Sequence, residues 1–215
     1  MKIVKFVCNP FQECTYLVWD EQTLEATVID SGMCNERERQ KITNYIEENR
    51  LTLVHLLYTH LHFDHCCGYE YLHSLTGLVA ECSKGEEVLG MHLKDQAQMF
   101  GVQTDTEVRP LSVGKVLKQG DEVRFGSQLL KVLEVPGHSP CGLAFYCEQE
   151  QCVFVGDTLF AGSIGRADLM GGDETALIRN IKEKLLTLPS ETLVLPGHGT
   201  HTTIEDEAHF NIYLR

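Results

Sequence analysis

The chain has 215 residues, 43% apolar and 23% charged, a balance that supports one sizeable core in a soluble folded domain. Lysine and arginine total 18 against 31 aspartates and glutamates, and the resulting charge of -13 repels phosphate backbones and anionic lipid. Neither nucleic acid nor a membrane surface is therefore expected as a partner.

Lys5 and the Asn9-Pro10 turn interrupt the first apolar stretch, so no secretory leader is expected, and no later segment reaches the roughly 18 apolar residues of a spanning helix. Nine cysteines are scattered without a paired framework, which fits reduced thiols and a cytoplasmic setting.

In chain order, residues 2–7, 15–20 and 25–30 are short β-rich runs between turn signals and predict a meander. Residues 35–49 set Ile42, Tyr45 and Ile46 at helical spacing among charges, the pattern of an amphipathic surface helix. A buried strand is expected over 52–60, a helix over 65–77 ending at Gly77, a strand over 78–82 and a helix over 83–94. Residues 95–110 lack either periodicity and predict a long loop, of the kind that borders a pocket. Strands resume at 114–118, 121–127, 128–136, 142–148 and 151–157; a helix over 174–187, a strand over 192–197 and a closing helix from Ile204 follow. A strand run followed by β/α units, twice over, predicts an α/β fold of two sheets packed face to face with helices outside, as one domain over residues 1–215.

The stretch from 60 to 65, HLHFDH, carries the chemistry. Where a strand runs out into a loop, side chains two apart point the same way, so His60 and His62 can meet one ion. Asp64 and His65 follow where the chain turns into a helix and face a neighbouring point. His138, Asp157 and His198 each follow an apolar β-run and stand beside a glycine, so each is held at a strand end while the backbone turns. Seven nitrogen and carboxylate donors at strand ends argue for two metal ions.

The stretches THLHFDH, PGHSP, GDTLF and PGHGT resemble the metallo-β-lactamase-fold hydrolases, and among them the glyoxalase II-like branch. The resemblance extends to NPFQECTYLV near the start and GSIGRADLMGGD after Asp157. It implies a four-layer αββα sandwich. It also implies one metal on His60, His62 and His138, a second on Asp64, His65 and His198, and Asp157 bridging both, with zinc as the expected pair and iron or manganese as alternatives.

Water between two such ions is acidified from a pKa of about 15.7 toward about 7, and its hydroxide is the expected nucleophile. Asp157 would position the bridge, and Asp64 would ligate and orient; these two are the expected catalytic residues. A thioester fits because its leaving thiol has a pKa near 8.5 and needs no general acid. No Gly-x-Ser-x-Gly or Ser-x-x-Lys nucleophile motif competes. The expected partner is thus a small-molecule thioester, an S-acyl thiol conjugate. Acyl group, thiol carrier and oligomeric state stay open. Larger glyoxalase II enzymes grip glutathione with a C-terminal helical region that has no counterpart before Arg215, so glutathione recognition is not carried over.

Arg166 has two readings, as a contact for a substrate anion or as an arginine tied to Asp168 in its own loop. Cys66 and Cys67 read as packing residues. His55, His73, His92 and His209 read as structural or solvent-facing, and His201 as a residue just past the site loop. The main rival function is persulfide dioxygenation, whose enzymes resemble the same motifs and bind one iron through the equivalents of His60, His138 and Asp157. β-Lactamases carry Cys or Ser where Asp157 stands, and flavodiiron proteins Glu where His62 stands. A metal-stabilised binding module needs four ligands and leaves the other three unexplained.

Overall fold

β1 (Lys2–Cys8), β2 (Glu13–Trp19) and β3 (Glu25–Ile29) form the antiparallel meander, with Phe6 opposite Thr15 and Tyr16 opposite Ile29 in a computed structural model that describes residues 1–215. Helix α1 (Glu36–Glu48) then crosses over to β4 (Thr52–Leu57), which pairs in parallel with β3. Asn35 starts α1 by accepting the Glu38 N–H at 3.0 Å, and Glu36 and Glu38 place negative charge in the first turn.

The short α2 (Phe63–Cys66) and α3 (Tyr69–Thr76) follow, and α3 ends at Gly77, whose φ of 71° gives the left-handed cap. β5 (Ala80–Cys82) continues the parallel pairing; α4 (Glu87–Gly90) and α5 (Leu93–Met99) lead to β6 (Lys115–Val116), which completes a six-stranded sheet in the order β1 to β6. The second sheet is built from β7 (Glu122–Phe125), β8 (Gln128–Glu134), β9 (Leu143–Cys147) and β10 (Cys152–Gly156). A small hairpin, β11 (Leu159–Phe160) and β12 (Ser163–Ile164), follows, then α6 (Glu174–Asn180), β13 (Leu193–Pro196), β14 (Thr202–Thr203) and α7 (Ile204–Phe210). Its order is β14-β13-β10-β9-β8-β7, with β10 and β13 parallel.

Three apolar layers show how the sheets stack. Leu17, Val28 and Leu56 pack against Ile42, Leu72 and Leu93 of the first helices. Tyr16, Val18 and Leu57 meet Phe125, Val132 and Phe154 between the sheets. Val153, Val155 and Val194 pack against Leu177 and Ile181 beyond the second sheet. These layers give the four-layer αββα sandwich. They also explain why β2 and β10 are buried along nearly their whole length, since both faces are covered and polar-apolar alternation is lost.

Several elements differ from the sequence reading. β4 stops at Leu57 rather than at 60, freeing residues 58–62 to approach the site as extended chain. The helix expected over 83–94 is a 3-10 turn (Lys84–Glu86) followed by α4, and it breaks at Met91 and His92 because the Leu111 N–H takes the Gly90 carbonyl at 2.9 Å. The first part of the expected 95–110 loop is α5: Gln96, Ala97 and Leu93 bury one short face that a longer periodicity window misses. The helix expected over 174–187 is α6 plus a π turn over Ile181–Leu185, and the β11–β12 hairpin was too short to show a strand pattern. No helix is long and apolar enough to cross a membrane.

Gly156 closes β10 with φ 50°, and a Cβ there would sit 2.3 Å from Thr59 Oγ1. Gly156→Ala should therefore cost more than about 2 kcal/mol in a urea-unfolding measurement, through left-handed strain plus displacement of Thr59. A loss below about 0.5 kcal/mol would show that the turn relaxes freely.

Candidate metal centre

His60 and His62 sit on extended chain after β4, Asp64 and His65 on α2, and His138, Asp157 and His198 on the turns after β8, β10 and β13. The fold brings all seven to one place. The ligand atoms of His60, His62 and His138 lie within 4.8 Å of one another, as do those of Asp64, His65 and His198. Asp157 stands between the triads, with Oδ2 3.7 Å from His138 Nε2 and 3.4 Å from His198 Nε2, and Oδ1 3.3 Å from His65 Nε2. Asp64 Oδ2 is 3.2 Å from His198 Nε2 and 3.7 Å from His65 Nε2.

The backs of the rings are tied to the protein, and this sets which nitrogen faces inward. His138 Nδ1 donates to the Arg166 carbonyl at 2.7 Å and His198 Nδ1 to the Phe11 carbonyl at 3.0 Å. His65 Nδ1 donates to Asp30 Oδ2 at 3.0 Å. Thr59 Oγ1 donates its one proton to Asp30 Oδ2 at 2.8 Å, so at 2.9 Å it accepts from His60 Nδ1. Four rings thus turn Nε2 inward, the second-sphere arrangement of metal-ligating imidazoles. His62 is reversed and presents Nδ1, which faces His138 Nε2 at 2.9 Å. Two bare lone pairs do not approach that closely without a proton or a cation between them.

Buried His60 Nε2 has no hydrogen-bond partner, and Asp157 Oδ1 has only the His65 ring at 3.3 Å. Buried polar atoms are rarely left so, and these two aim into the cluster where a cation would satisfy them. The donor set, five imidazoles and two carboxylates, suits zinc or iron. Room is made by Gly197, where a Cβ would meet Asp157 Oδ1 at 2.3 Å and His65 Cε1 at 2.6 Å.

Electrostatics divide the cluster. Burial holds His60 well below the ordinary histidine value, lowers His138 and pulls His62 down to about 3, helped by the neighbouring imidazoles. Burial also opposes charge on His65 and His198, but Asp157 and Asp64 outweigh it, raising His65 well above its usual value and His198 to about 10. Desolvation works against Asp157 and Asp64 too, yet the adjoining imidazoles hold both carboxylates below their ordinary range. Three neutral lone-pair donors therefore face one side, and two cationic rings with two carboxylates the other.

Two positioning residues went unread in the sequence. Asp30, buried at the end of β3 with φ 55°, accepts the Thr59 N–H at 2.8 Å, and through Thr59 and His65 it orients one ring in each triad. It ends an apolar run as Asp157 does, but Ser31 separates it from Gly32, whereas Asp157 directly abuts Gly156. Glu86 accepts the Leu61 N–H at 3.1 Å and Ser139 Oγ–H at 2.8 Å, tying the first motif to the His138 turn; nothing in the sequence separates it from Glu87. Asp30→Asn keeps a side chain that tolerates the left-handed backbone but cannot accept from both Thr59 and His65. It should weaken metal affinity about 10- to 100-fold in a chelator competition. Unchanged affinity would remove Asp30 from the support of the rings.

Of the other residues read from the sequence, Arg166 is held by Asp168 in a bidentate pair at 2.7 and 2.8 Å while lining the cleft over the cluster. That cleft measures about 280 Å³ and is walled by Phe11, Phe63, Phe100 and Leu169. Cys66 Sγ contacts the His62 carbonyl and Cys67 Sγ that of Gly32, both at 3.1 Å, and burial pushes both thiols up. His55 is engaged by Glu81 and the Arg124 carbonyl, His73 by the Leu78 carbonyl, His92 by Asp95 and His209 by the Glu205 carbonyl. His201 is exposed and lies outside the cleft lining.

Residues 8–198 match the metallo-beta-lactamase superfamily. The chain belongs to that superfamily. It is similar to the hydroxyacylglutathione hydrolase GloC of Haemophilus influenzae, 33% identical over all of this chain and 98% of the other. It is also similar to the mitochondrial persulfide dioxygenase ETHE1 of Mus musculus, 30% identical over 92% of this chain and 69% of that one. Among solved structures, TTHA1623 in a di-iron-bound form superposes with a TM-score of 0.86 at 36% identity, over the full length of both chains. The His/Asp cluster of this superfamily member is a metal-binding site in a metal-dependent enzyme fold.

Proposed function

We propose that the protein is a dinuclear metal-dependent hydrolase that cleaves thioesters of small thiols. The supporting observation is the pairing of two donor triads about Asp157, with buried His60 Nε2 unpartnered among them. When bound, two divalent cations supply acidified water and a Lewis acid for the substrate carbonyl. His60, His62 and His138 would hold one ion, Asp64, His65 and His198 the other, and Asp157 both. Asp30 and the Arg166 and Phe11 carbonyls keep the ring tautomers that make this possible. The Phe11, Phe63 and Phe100 walls exclude water from the reacting bond. No lysine, tyrosine or serine lines the cleft to act as general acid or nucleophile, which suits a leaving thiol of pKa near 8.5. The GloC relative and the di-iron form of TTHA1623 support this reading.

A second reading, persulfide dioxygenation on one iron held by His60, His138 and Asp157, is favoured by the ETHE1 relative at nearly the same identity. Protein purified without added metal separates the two. The hydrolase reading expects close to two metal ions per chain and turnover of S-D-lactoylglutathione or simpler thioesters. One iron per chain, with oxygen uptake on a persulfide and little thioester cleavage, would overturn it.

A further inference from the structure

An apolar lobe opens beside the metal cleft. Leu89 forms its floor and Met99, Phe100, Leu169 and Met170 its walls, enclosing about 120 Å³. The lobe and the cleft share His62, Gln96, Phe100 and Leu169, so they adjoin around the Phe100 ring, which stands edge-on to Phe11 at 5.7 Å. A group filling the lobe would lie next to a carbonyl at the cluster, because His62 lines both.

The lobe offers little to a polar ligand. Gln96 spends both ends of its amide inside the protein, accepting the Phe63 N–H and donating to the Leu89 carbonyl, each at 2.9 Å. His92 is paired with Asp95 at 3.0 Å. Arg166 is the one lysine or arginine lining the adjoining cleft, and Asp168 occupies its guanidinium. Yet Met99 and Met170 are 74% and 55% exposed, an apolar surface left in water beside a reactive site.

We infer that this lobe is a substrate subsite for a compact apolar group flanking the reacting carbonyl, with Met99, Phe100 and Met170 setting the preference. The inference rests on the thioester-hydrolase reading of the cluster. Its volume approaches the cavity of about 150 Å³ that takes benzene in another protein, so groups from isopropyl to phenyl fit. The flexible thioethers let the walls close on more than one shape. An anionic carrier gains no cation here, so selectivity comes from apolar bulk.

The zinc-loaded protein is tested in two substrate arms. One varies the acyl group (acetyl, isobutyryl, phenylacetyl) on N-acetylcysteamine; the other varies the thiol, N-acetylcysteamine against benzyl thiol, on acetyl. The expected result is a kcat/KM at least about ten-fold higher for the bulkier apolar member in one arm, which also identifies the side that enters the lobe. The Met99→Gln, Met170→Gln double variant changes exposed side chains and should bring that ratio down by about five-fold or more, mainly through KM. A readout independent of turnover is binding of phenylacetohydroxamate against acetohydroxamate, with methionine methyls labelled for NMR. The phenyl compound should bind more tightly and shift the Met99 and Met170 signals. Ratios near one in both arms with unmoved methyls would overturn the inference, even if thioesters are hydrolysed. If no thioester is hydrolysed but the phenyl compound binds more tightly and moves those methyls, the subsite stands and the hydrolase reading falls.

Discussion

Asp157→Ala should lower kcat/KM for thioester hydrolysis by about 10³-fold or more, from the loss of a charge-stabilising group in a water-excluded site together with weakened metal binding. Asp157 contacts His138 in one triad and His65 and His198 in the other, at 3.3 to 3.7 Å. Its removal leaves His65 Nε2 and His198 Nε2 facing each other at 3.3 Å with Asp64 as the nearest remaining carboxylate. The imidazoles hold Asp157 ionised, so Asp157→Asn also removes a charge that is present throughout the working range, and it should fall close to the alanine variant. Both variants should lose metal on dialysis, measured by elemental analysis beside the kinetics, and should keep the folded circular-dichroism spectrum of the metal-free parent. Activity within about ten-fold of the parent with full metal content would remove Asp157 from the centre of the site.

Much of this was legible in the sequence because the ligands sit where strands end. An apolar run fixes a strand, an adjoining glycine marks the turn, and the polar residue beside it faces whatever the sheet edge encloses. That logic locates His138, Asp157 and His198, each directly after a glycine, and misses Asp30, because in VIDSG the glycine stands two residues beyond it. Glu86 was hidden, since its role comes from being buried between Leu61 and Ser139, which only the packing of two distant loops decides. The reversed ring of His62 was hidden for the same reason: side-chain period tells which way a residue points but not which nitrogen leads. The apolar wall of Met99, Phe100 and Met170 was obscured because α5 is two turns long, too short for its periodicity to stand out from the loop beyond it. Arg166 had two readings in sequence, and only coordinates could place its guanidinium against Asp168.

Zinc added to metal-free protein near pH 7.5 should release about three protons per chain, two from ring nitrogens and one from the acidified water, and the ring protons alone should raise the apparent affinity about 100-fold per pH unit over the range in which both donors are protonated. The two ring protons come from His65 and His198, each of which must give up its Nε2 proton to offer a lone pair while Nδ1 stays bonded to Asp30 or to the Phe11 carbonyl. Burial opposes their charge, but Asp157 and Asp64 raise His65 well above its ordinary value and His198 to about 10, so both are cationic at neutral pH without metal. His60, His62 and His138 are lowered, are already neutral there and release nothing. Calorimetry in buffers of different ionisation enthalpy counts the protons directly. Because the folded value of His198 lies above the unfolded value of about 6.5, its stabilisation of the metal-free fold is complete below that pH. It is lost as pH rises through about 10, with His65 acting in the same direction. The metal-free protein should accordingly lose more of its melting temperature between pH 6.5 and 9.5 than zinc-loaded protein, which is already deprotonated at both rings and shares only the cost of buried thiols such as Cys66 and Cys82. Release of no more than the water's proton, with affinity no steeper than about ten-fold per pH unit, would mean that the two rings are neutral before the metal arrives, and that carboxylates alone do not hold the second triad together.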